Sequence, residues 1–338
     1  MADRSEKVII FGVGKYWNSV RSFLTEGPQI VAYMDNCVKD EKKKGGGVKL
    51  YLPEEWQEVE FEKIIICIVN HKAKLEMMNQ LLDLGIAKER IGFIEEYLKN
   101  YDVKITVEGK DTVNILANGI TVRCTNEIEY MIAQEILAGE EYGFHTSGKY
   151  FVIDIGMNIG CTALYFASQK NVTSVYGFEP FKGVYDKAVS NISLNRKEIR
   201  EKIQTYNVGL GKTDGIEKYI AHEGIYESAG IKKVQDGAVH SDCIIEQEMK
   251  QASSVLGGIM QAHEEHCLMK IDCEGAEYGI LEDLINSGNI RKVDTIIMEW
   301  HVGKYIQLEN LLNQAGYAYV LNKNSRDFGM CYAWREKR

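Results

Sequence analysis

The stretch FVIDIGMNIGCTAL (Phe151–Leu164) decides how the rest of this 338-residue chain is read. Apart from Asp154 its first five residues are apolar, the composition of a strand buried on both faces. Gly156 and Gly160, with Asn158 between them, then form a turn where backbone can approach a ligand closely. Glycine takes positive φ without steric cost, and asparagine tolerates it. From Cys161 onward the apolar residues resume at helical spacing. No Gly-Lys-Ser/Thr follows, so the turn is not a phosphate loop, and Asp154 at the strand end would repel a pyrophosphate placed there. An acid in that place suits a cationic group. The next strand, SVYGF (Ser174–Phe178), ends in Glu179-Pro180, 25 residues beyond Asp154. A second acid at an adjacent strand end is positioned to accept from ribose hydroxyls.

Composition bounds the remaining classes. Lys+Arg 40 against Asp+Glu 49 gives a net charge of −9, which argues against a phosphate-gripping nucleic-acid binder. The first hundred residues hold 15 basic and 16 acidic side chains, leaving 25 and 33 for the remainder. The acidic surplus of −8 therefore lies beyond residue 100 and favours a cationic ligand there. The 8 cysteines are dispersed without Cys-x-x-Cys or zinc-like spacing, and no apolar run is long enough for a membrane span. With a polar N-terminus that is unlike a signal peptide, the expectation is a reduced, cytoplasmic protein with no membrane insertion.

Organisation follows from periodicity. KVIIF (Lys7–Phe11) closes on Gly12-Val-Gly14, and a second strand ending at Met34 is followed by Asp35, 21 residues beyond Gly14. This predicts a small parallel α/β domain over residues 1–100. Residues 103–123 alternate apolar and polar around Asn118-Gly119, which predicts a β-hairpin linker over 101–124. The second domain, 125–338, ends in two strands near 317–322 and 330–335 with no helix between them, so they pair antiparallel.

The motifs together resemble a known family, the FkbM-family methyltransferases within the S-adenosylmethionine-dependent class I methyltransferases. The resemblance rests on VIDIGMNIG (Val152–Gly160), GFEP (Gly177–Pro180), NVGL (Asn207–Leu210), MKIDCEGAE (Met269–Glu277) and IMEWH (Ile297–His301), in the family's order and spacing over roughly residues 125–335. It implies an α/β fold: a Rossmann-like sheet with a terminal antiparallel hairpin, preceded here by the smaller Rossmann-like domain. It also implies S-adenosylmethionine as cofactor, with Asp154, Gly156, Asn158 and Gly160 around its methionyl part, Glu179 on the ribose and Asn207 near the adenine.

Chemistry is read from the later motifs. Asp272 stands at a strand's carboxyl edge, Glu274 and Glu277 are three apart as on one helical face, and Glu299 and His301 are two apart on one side of a strand. Methylating a hydroxyl needs a base as the oxygen attacks the methyl in line, and His301 or Glu274 is the first choice. Asp272 then positions donor or nucleophile, also as a cofactor-binding residue, and Glu299 completes the catalytic set. Glu277 reads equally well as a solvated helix residue. A Mg²⁺ reading of Asp272, Glu274, Glu299 and His301 is chemically open, but no metal is assigned. His263-Glu-Glu-His266 lacks the zinc-protease spacing and reads as a solvated helix face.

The expected activity is O-methylation of a sugar, glycan or related small-molecule acceptor, with acceptor choice in the loop from His222 to His240. Gly12, Gly14 and Asp35 form a weaker nucleotide-site candidate, because Trp17 stands where a third glycine belongs. This region is similar to the front domain of PglD-type sugar acetyltransferases; it serves either acceptor binding or homo-oligomer assembly. Two alternatives are a nucleotide-sugar oxidoreductase or epimerase using this first turn, and a non-catalytic ligand-binding protein. Tyr101-Asp-Val-Lys104 does not supply the Tyr-x-x-x-Lys pair that the first of these needs.

Overall fold

Short aliphatic runs such as VIIF and IIII form strands here because β-branched side chains fill both faces of a covered parallel sheet. The computed structural model describes residues 5–25, 27–37, 48–98, 103–108, 112–138, 141–144, 148–221, 231–233 and 244–335. It divides into two units, Met1–Gly139 and Glu140–Arg338.

In the first unit, β1 (Lys7–Phe11), α1 (Lys15–Val20), β2 (Gln29–Met34), β3 (Leu50–Tyr51), β4 (Lys63–Ile66), α2 (His71–Asp83) and β5 (Ile91–Phe93) follow one another. The sheet is parallel, in the order β3-β2-β1-β4-β5. Val8–Phe11 and Ile64–Ile66 are fully buried at its centre. The predicted hairpin linker is instead a three-stranded antiparallel sheet, β6 (Val103–Glu108), β7 (Thr112–Ala117) and β8 (Ile120–Cys124), turning at Asn118 (φ 51°) and Gly119 (φ 74°). With α3 (Glu127–Leu137) it falls inside the first unit, so the division lies at 139/140 rather than at 124/125. The physical reason is the one-sided burial of these strands, alternating buried and exposed along β6, which needs a covering layer. Composition along the chain carries no record of that docking.

Lys74 of α2 fixes α3 in this unit. Its ammonium donates to Glu95 and, at 2.9 Å, to the Tyr130 hydroxyl on α3, with all three side chains buried. Burial presses the Lys74 pKa down against the pull of Glu95. Removing one member of a buried pair strands the other charge, so Lys74→Met is expected to cost about 3–5 kcal/mol in urea unfolding. Lys74→Met with Glu95→Leu should recover most of that. A single-variant loss below about 1 kcal/mol, the range of exposed pairs, would show that the pair contributes little.

The second unit begins with β9 (Tyr150–Ile155), α4 (Cys161–Ser168), β10 (Val172–Phe178), α5 (Lys182–Ser193), α6 (Lys197–Arg200) and β11 (Ile203–Tyr206). A smaller sheet follows from β12 (Gly209–Gly211), β13 (Gly215–Ala221), β14 (Ile231–Lys233) and β15 (Ile244–Gln251), in the order β12-β15-β13-β14. The main sheet resumes with α7 (Ala252–Gln261), β16 (His266–Ile271), α8 (Glu277–Ser287), β17 (Thr295–Trp300), α9 (Tyr305–Ala315), β18 (Ala318–Lys323) and β19 (Gly329–Trp334). Its order is β11-β10-β9-β16-β17-β19-β18, with the first five strands parallel and β19 antiparallel to both neighbours. The terminal antiparallel hairpin is therefore present, and the fold is α/β and Rossmann-like. Strand order reverses between β9 and β16, so their carboxyl ends frame the crevice where such sheets hold ligands.

One expectation changes. α7 ends at Gln261, so His263–His266 is the turn into β16 and not a helix face. His263 stacks on Phe151 at 4.2 Å and lies 2.8 Å from the Tyr176 hydroxyl. The loop from His222 to His240 falls outside the described residues except for β14. Among the described residues no helix is long and apolar enough to cross a membrane.

Candidate active site

The turn after β9 is shaped by what presses on it. Gly156 (φ +78°) runs so close to the β16 edge that a Cβ there would lie 1.8 Å from the Asp272 carbonyl oxygen. Asn158 (φ 50°) and Gly160 (φ 90°) complete the bend, and Gly160 caps α4. Gly156→Ala is expected to lower the thermal midpoint markedly, because backbone and not a flexible side chain stands in the way. Melting with the wild type would contradict this placement.

Glu179, one residue beyond β10, is buried, with one oxygen on this turn and the other on the chain after β10. It accepts the Asn158 amide at 3.1 Å and the Phe181 amide at 3.0 Å. Burial raises its pKa to about 7 against those hydrogen bonds. Asn207 donates to the carbonyls of Glu179 (2.9 Å) and Pro180 (2.8 Å), tying the end of β11 to the end of β10. The structure thus brings Asp154, Gly156, Asn158, Gly160, Glu179 and Asn207 to one sheet edge.

Asp154 does not face the crevice as an uncompensated charge. It is fully buried, takes the Thr162 hydroxyl at 2.5 Å and lies 3.2 Å from the Lys270 ammonium. Burial lowers the Lys270 pKa, but Asp154 and Asp272 outweigh it and the net shift is upward. The Asp154 charge, expected to suit a cationic ligand, thus has an internal partner.

The rim opposite is built by β16, β17 and their following turns. Asp272 accepts the Tyr142 hydroxyl at 3.1 Å, and burial drives the Tyr142 pKa well up. His301 is the centre of the cluster. Its Nδ1 lies 2.8 Å from Glu277, and its Nε2 3.8 Å from Glu274 and 4.0 Å from Glu299. Glu277 is wholly buried at the first turn of α8, not solvated as one sequence reading had it. Glu274 lies before that helix, in a left-handed turn (φ 52°), so the two do not share a helical face. Val302 is also left-handed (φ 65°), and its Cγ2 would sit 3.2 Å from a Cβ at Gly275. Two strained turns therefore nest beside the imidazole, a conformation that costs on the order of 1–3 kcal/mol at a β-branched residue. The Tyr278 hydroxyl donates to the His301 carbonyl at 2.6 Å.

These surroundings set the protons. Burial opposes the charged form of His301, yet the bond to Glu277 and the carboxylates beyond it raise its pKa to about 9. Burial, then the Asp272 charge, raise Glu299 to about 7, and burial raises Glu274. Near neutral pH the imidazole carries its proton and Glu299 is poised to gain or lose one. Asp272, Glu299 and His301 also bring one donor atom each within 4.8 Å of one another, a set that could hold a metal ion.

In the first unit, Gly12 (φ +96°) is required by packing, since a Cβ would lie 2.7 Å from the Cys67 carbonyl oxygen. Asp35 accepts the Val13 amide at 3.1 Å and the Cys37 amide at 2.9 Å, so its two oxygens close the turn itself. Gly14 caps a helix of 6 residues, and Trp17 is buried edge-on to Tyr33 at 5.9 Å. The trio comes together, with a structural use for each residue except Gly14.

Lys270, Tyr142 and Thr162 are the site residues that the motifs did not single out. Lys270 carried a usable signal, a lone cation inside the run CLMKI (Cys267–Ile271), where burial demands a partner.

Residues 154–319 match the methyltransferase FkbM domain, and residues 4–92 match the C2185-like N-terminal family. The AMB antimetabolite synthetase AmbE of Pseudomonas aeruginosa is 24% identical over 254 residues, 62% of this chain and 12% of AmbE, so the chain spans about an eighth of that relative. The methyltransferase sdnD of Sordaria araneosa is 26% identical over 193 residues, 49% of this chain and 73% of sdnD. A crystal structure of methyltransferase FkbM from Methylobacillus flagellatus aligns with 98% of this chain and 90% of its own at 10% identity and a TM-score of 0.39. Over residues 154–319, just under half of the chain, the second unit is thus similar to the FkbM methyltransferase domain.

Proposed function

We propose that the second unit is an S-adenosylmethionine-dependent O-methyltransferase acting on a hydroxyl of a sugar, glycan or related small molecule. The observation that carries this reading is the rim of Asp272, Glu274 and Glu299 around His301, beside the Gly156–Gly160 turn and Glu179. The residues fit the cofactor: a buried carboxylate at the β10 end for a ribose diol, a backbone turn pressed free of side chains, and carboxylates on the rim for a cation. S-adenosylmethionine supplies, when bound, a methyl group on positively charged sulfur. Glu179 holds the ribose, Asn207 keeps the adenine-side turn in register, and Asp272 orients the reacting groups. Glu299 takes the hydroxyl proton, since its pKa near 7 matches working pH. His301, kept as imidazolium by Glu277, screens the carboxylates from one another and fixes Glu299 and Glu274. The base thus moves from His301 or Glu274 to Glu299.

The test is transfer of tritiated methyl from S-adenosylmethionine into a panel of methyl glycosides and nucleotide sugars. Alkali-stable ether-linked label in a glycoside is expected. Label confined to amines would contradict O-methylation, base-labile label confined to carboxylates would contradict a hydroxyl acceptor, and turnover abolished by EDTA would assign Asp272, Glu299 and His301 to a metal instead.

A further inference from the structure

The Lys270 ammonium lies beneath the glycine turn with no exposure of consequence. Parallel pairing of β16 with β9 sets Lys270 opposite Asp154, which places the two charges on one side of the sheet. The ammonium is 3.2 Å from Asp154 Oδ1, 2.5 Å from the Gly156 carbonyl oxygen, 3.4 Å from that of Ile155 and 3.8 Å from Asp272 Oδ2. Thr162 closes the far side of Asp154, and Tyr142 the far side of Asp272. One lysine thereby joins the strand-end acid, the first carbonyl of the cofactor turn and the rim acid.

Resting on the cofactor reading above, we propose that Lys270 is a positioning residue: a built-in counter-cation that neutralises Asp154 and fastens the Gly156 carbonyl to the Asp272 edge, so that Asp154 supports the donor site without contacting the donor. A wholly buried Asp154 carboxylate left without a neighbouring cation binds a proton rather than stay ionised. Cation recognition then belongs to the rim carboxylates. The groups facing the ammonium are Asp154 from β9, Asp272 and Cys273 after β16, the Tyr142 ring at 5.5 Å and, further out, Glu179 at the β10 end.

A double-mutant cycle on the full chain tests this, read by calorimetry with S-adenosylhomocysteine and by thermal unfolding. Lys270→Met leaves Asp154 without its partner, so affinity relative to wild type should fall as pH rises from 6 to 8.5, by about tenfold for one unit of proton linkage. Lys270 also lowers the Glu179 pKa, so the same comparison is made in Glu179→Gln, where that titration is absent. Asp154→Asn alone strands the lysine and weakens binding too. Asp154→Asn with Lys270→Met removes both charges; it should bind within about tenfold of wild type, lose the pH-dependent difference, and melt above either single variant. A double variant that binds no better than Asp154→Asn would overturn the proposal, because Asp154 would then touch the donor. If wild type fails to bind, the cofactor reading fails on its own. The melting cycle still decides the Lys270–Asp154 coupling, and a double variant melting no higher than the singles would refute it.

Discussion

Replacing Glu299 with glutamine lowers methyl transfer by about 10²–10⁴-fold, the range for losing a positioned proton acceptor, and leaves S-adenosylhomocysteine affinity nearly unchanged. The isosteric amide keeps the space and the hydrogen-bonding reach but cannot take a proton. The pH profile gives the sign. Glu299 must be ionised, so kcat, read at saturating donor to exclude the titration of Glu179, rises as pH increases through about 7, and His301 must be protonated, so the rate declines as pH passes about 9. Glu299→Gln should lose the acid limb, whereas Glu277→Gln, which removes the charge behind His301 Nδ1, should bring the alkaline limb to lower pH. A profile with His301 acting as base would instead rise through the higher value. Retention of full turnover by Glu299→Gln would remove that residue from the mechanism.

The second large effect is expected at Glu179. Its carboxylate is the buried acceptor at the β10 end, and each hydrogen bond from a ribose hydroxyl to a charged group contributes about 1.5–3 kcal/mol. Glu179→Ala should therefore weaken S-adenosylhomocysteine binding by more than about 100-fold. Because the alanine also strands the Asn158 and Phe181 amides, Glu179→Gln is the sharper probe. It keeps one oxygen acceptor and should lose about 10–100-fold. Wild-type affinity should rise with pH through about 7 as the carboxyl ionises, and Glu179→Gln should flatten that rise. Unchanged affinity in both variants would place the ribose elsewhere.

The fold was legible where local chemistry and topology coincide. The run before Asp154, the three positive-φ positions at 156, 158 and 160, and two final strands without an intervening helix each admit one reading, and the main sheet follows it. What remained hidden depends on register between strands distant in sequence. Lys270 reaches Asp154 only because β16 pairs with β9 in one register, 116 residues apart. Glu277 was ambiguous for the same reason: helical spacing shows which residues share a face, but not that α8 turns this one toward His301. The left-handed turn at Glu274 makes α8 begin later, at Glu277, than spacing alone implies. In the first unit, the Gly12, Gly14 and Asp35 pattern was visible, while the bonding of Asp35 to the turn's own amides was not. The antiparallel sheet of β6–β8 was half legible, since its Asn-Gly turn marks one hairpin and nothing marks the third strand as part of the same layer.

The central claim is that the β9–β10 edge holds S-adenosylmethionine. Titration calorimetry of the full wild-type chain with S-adenosylhomocysteine tests it most directly. The account predicts saturable one-to-one binding that is lost in Glu179→Ala; no binding at millimolar ligand, with the chain folded, would contradict it.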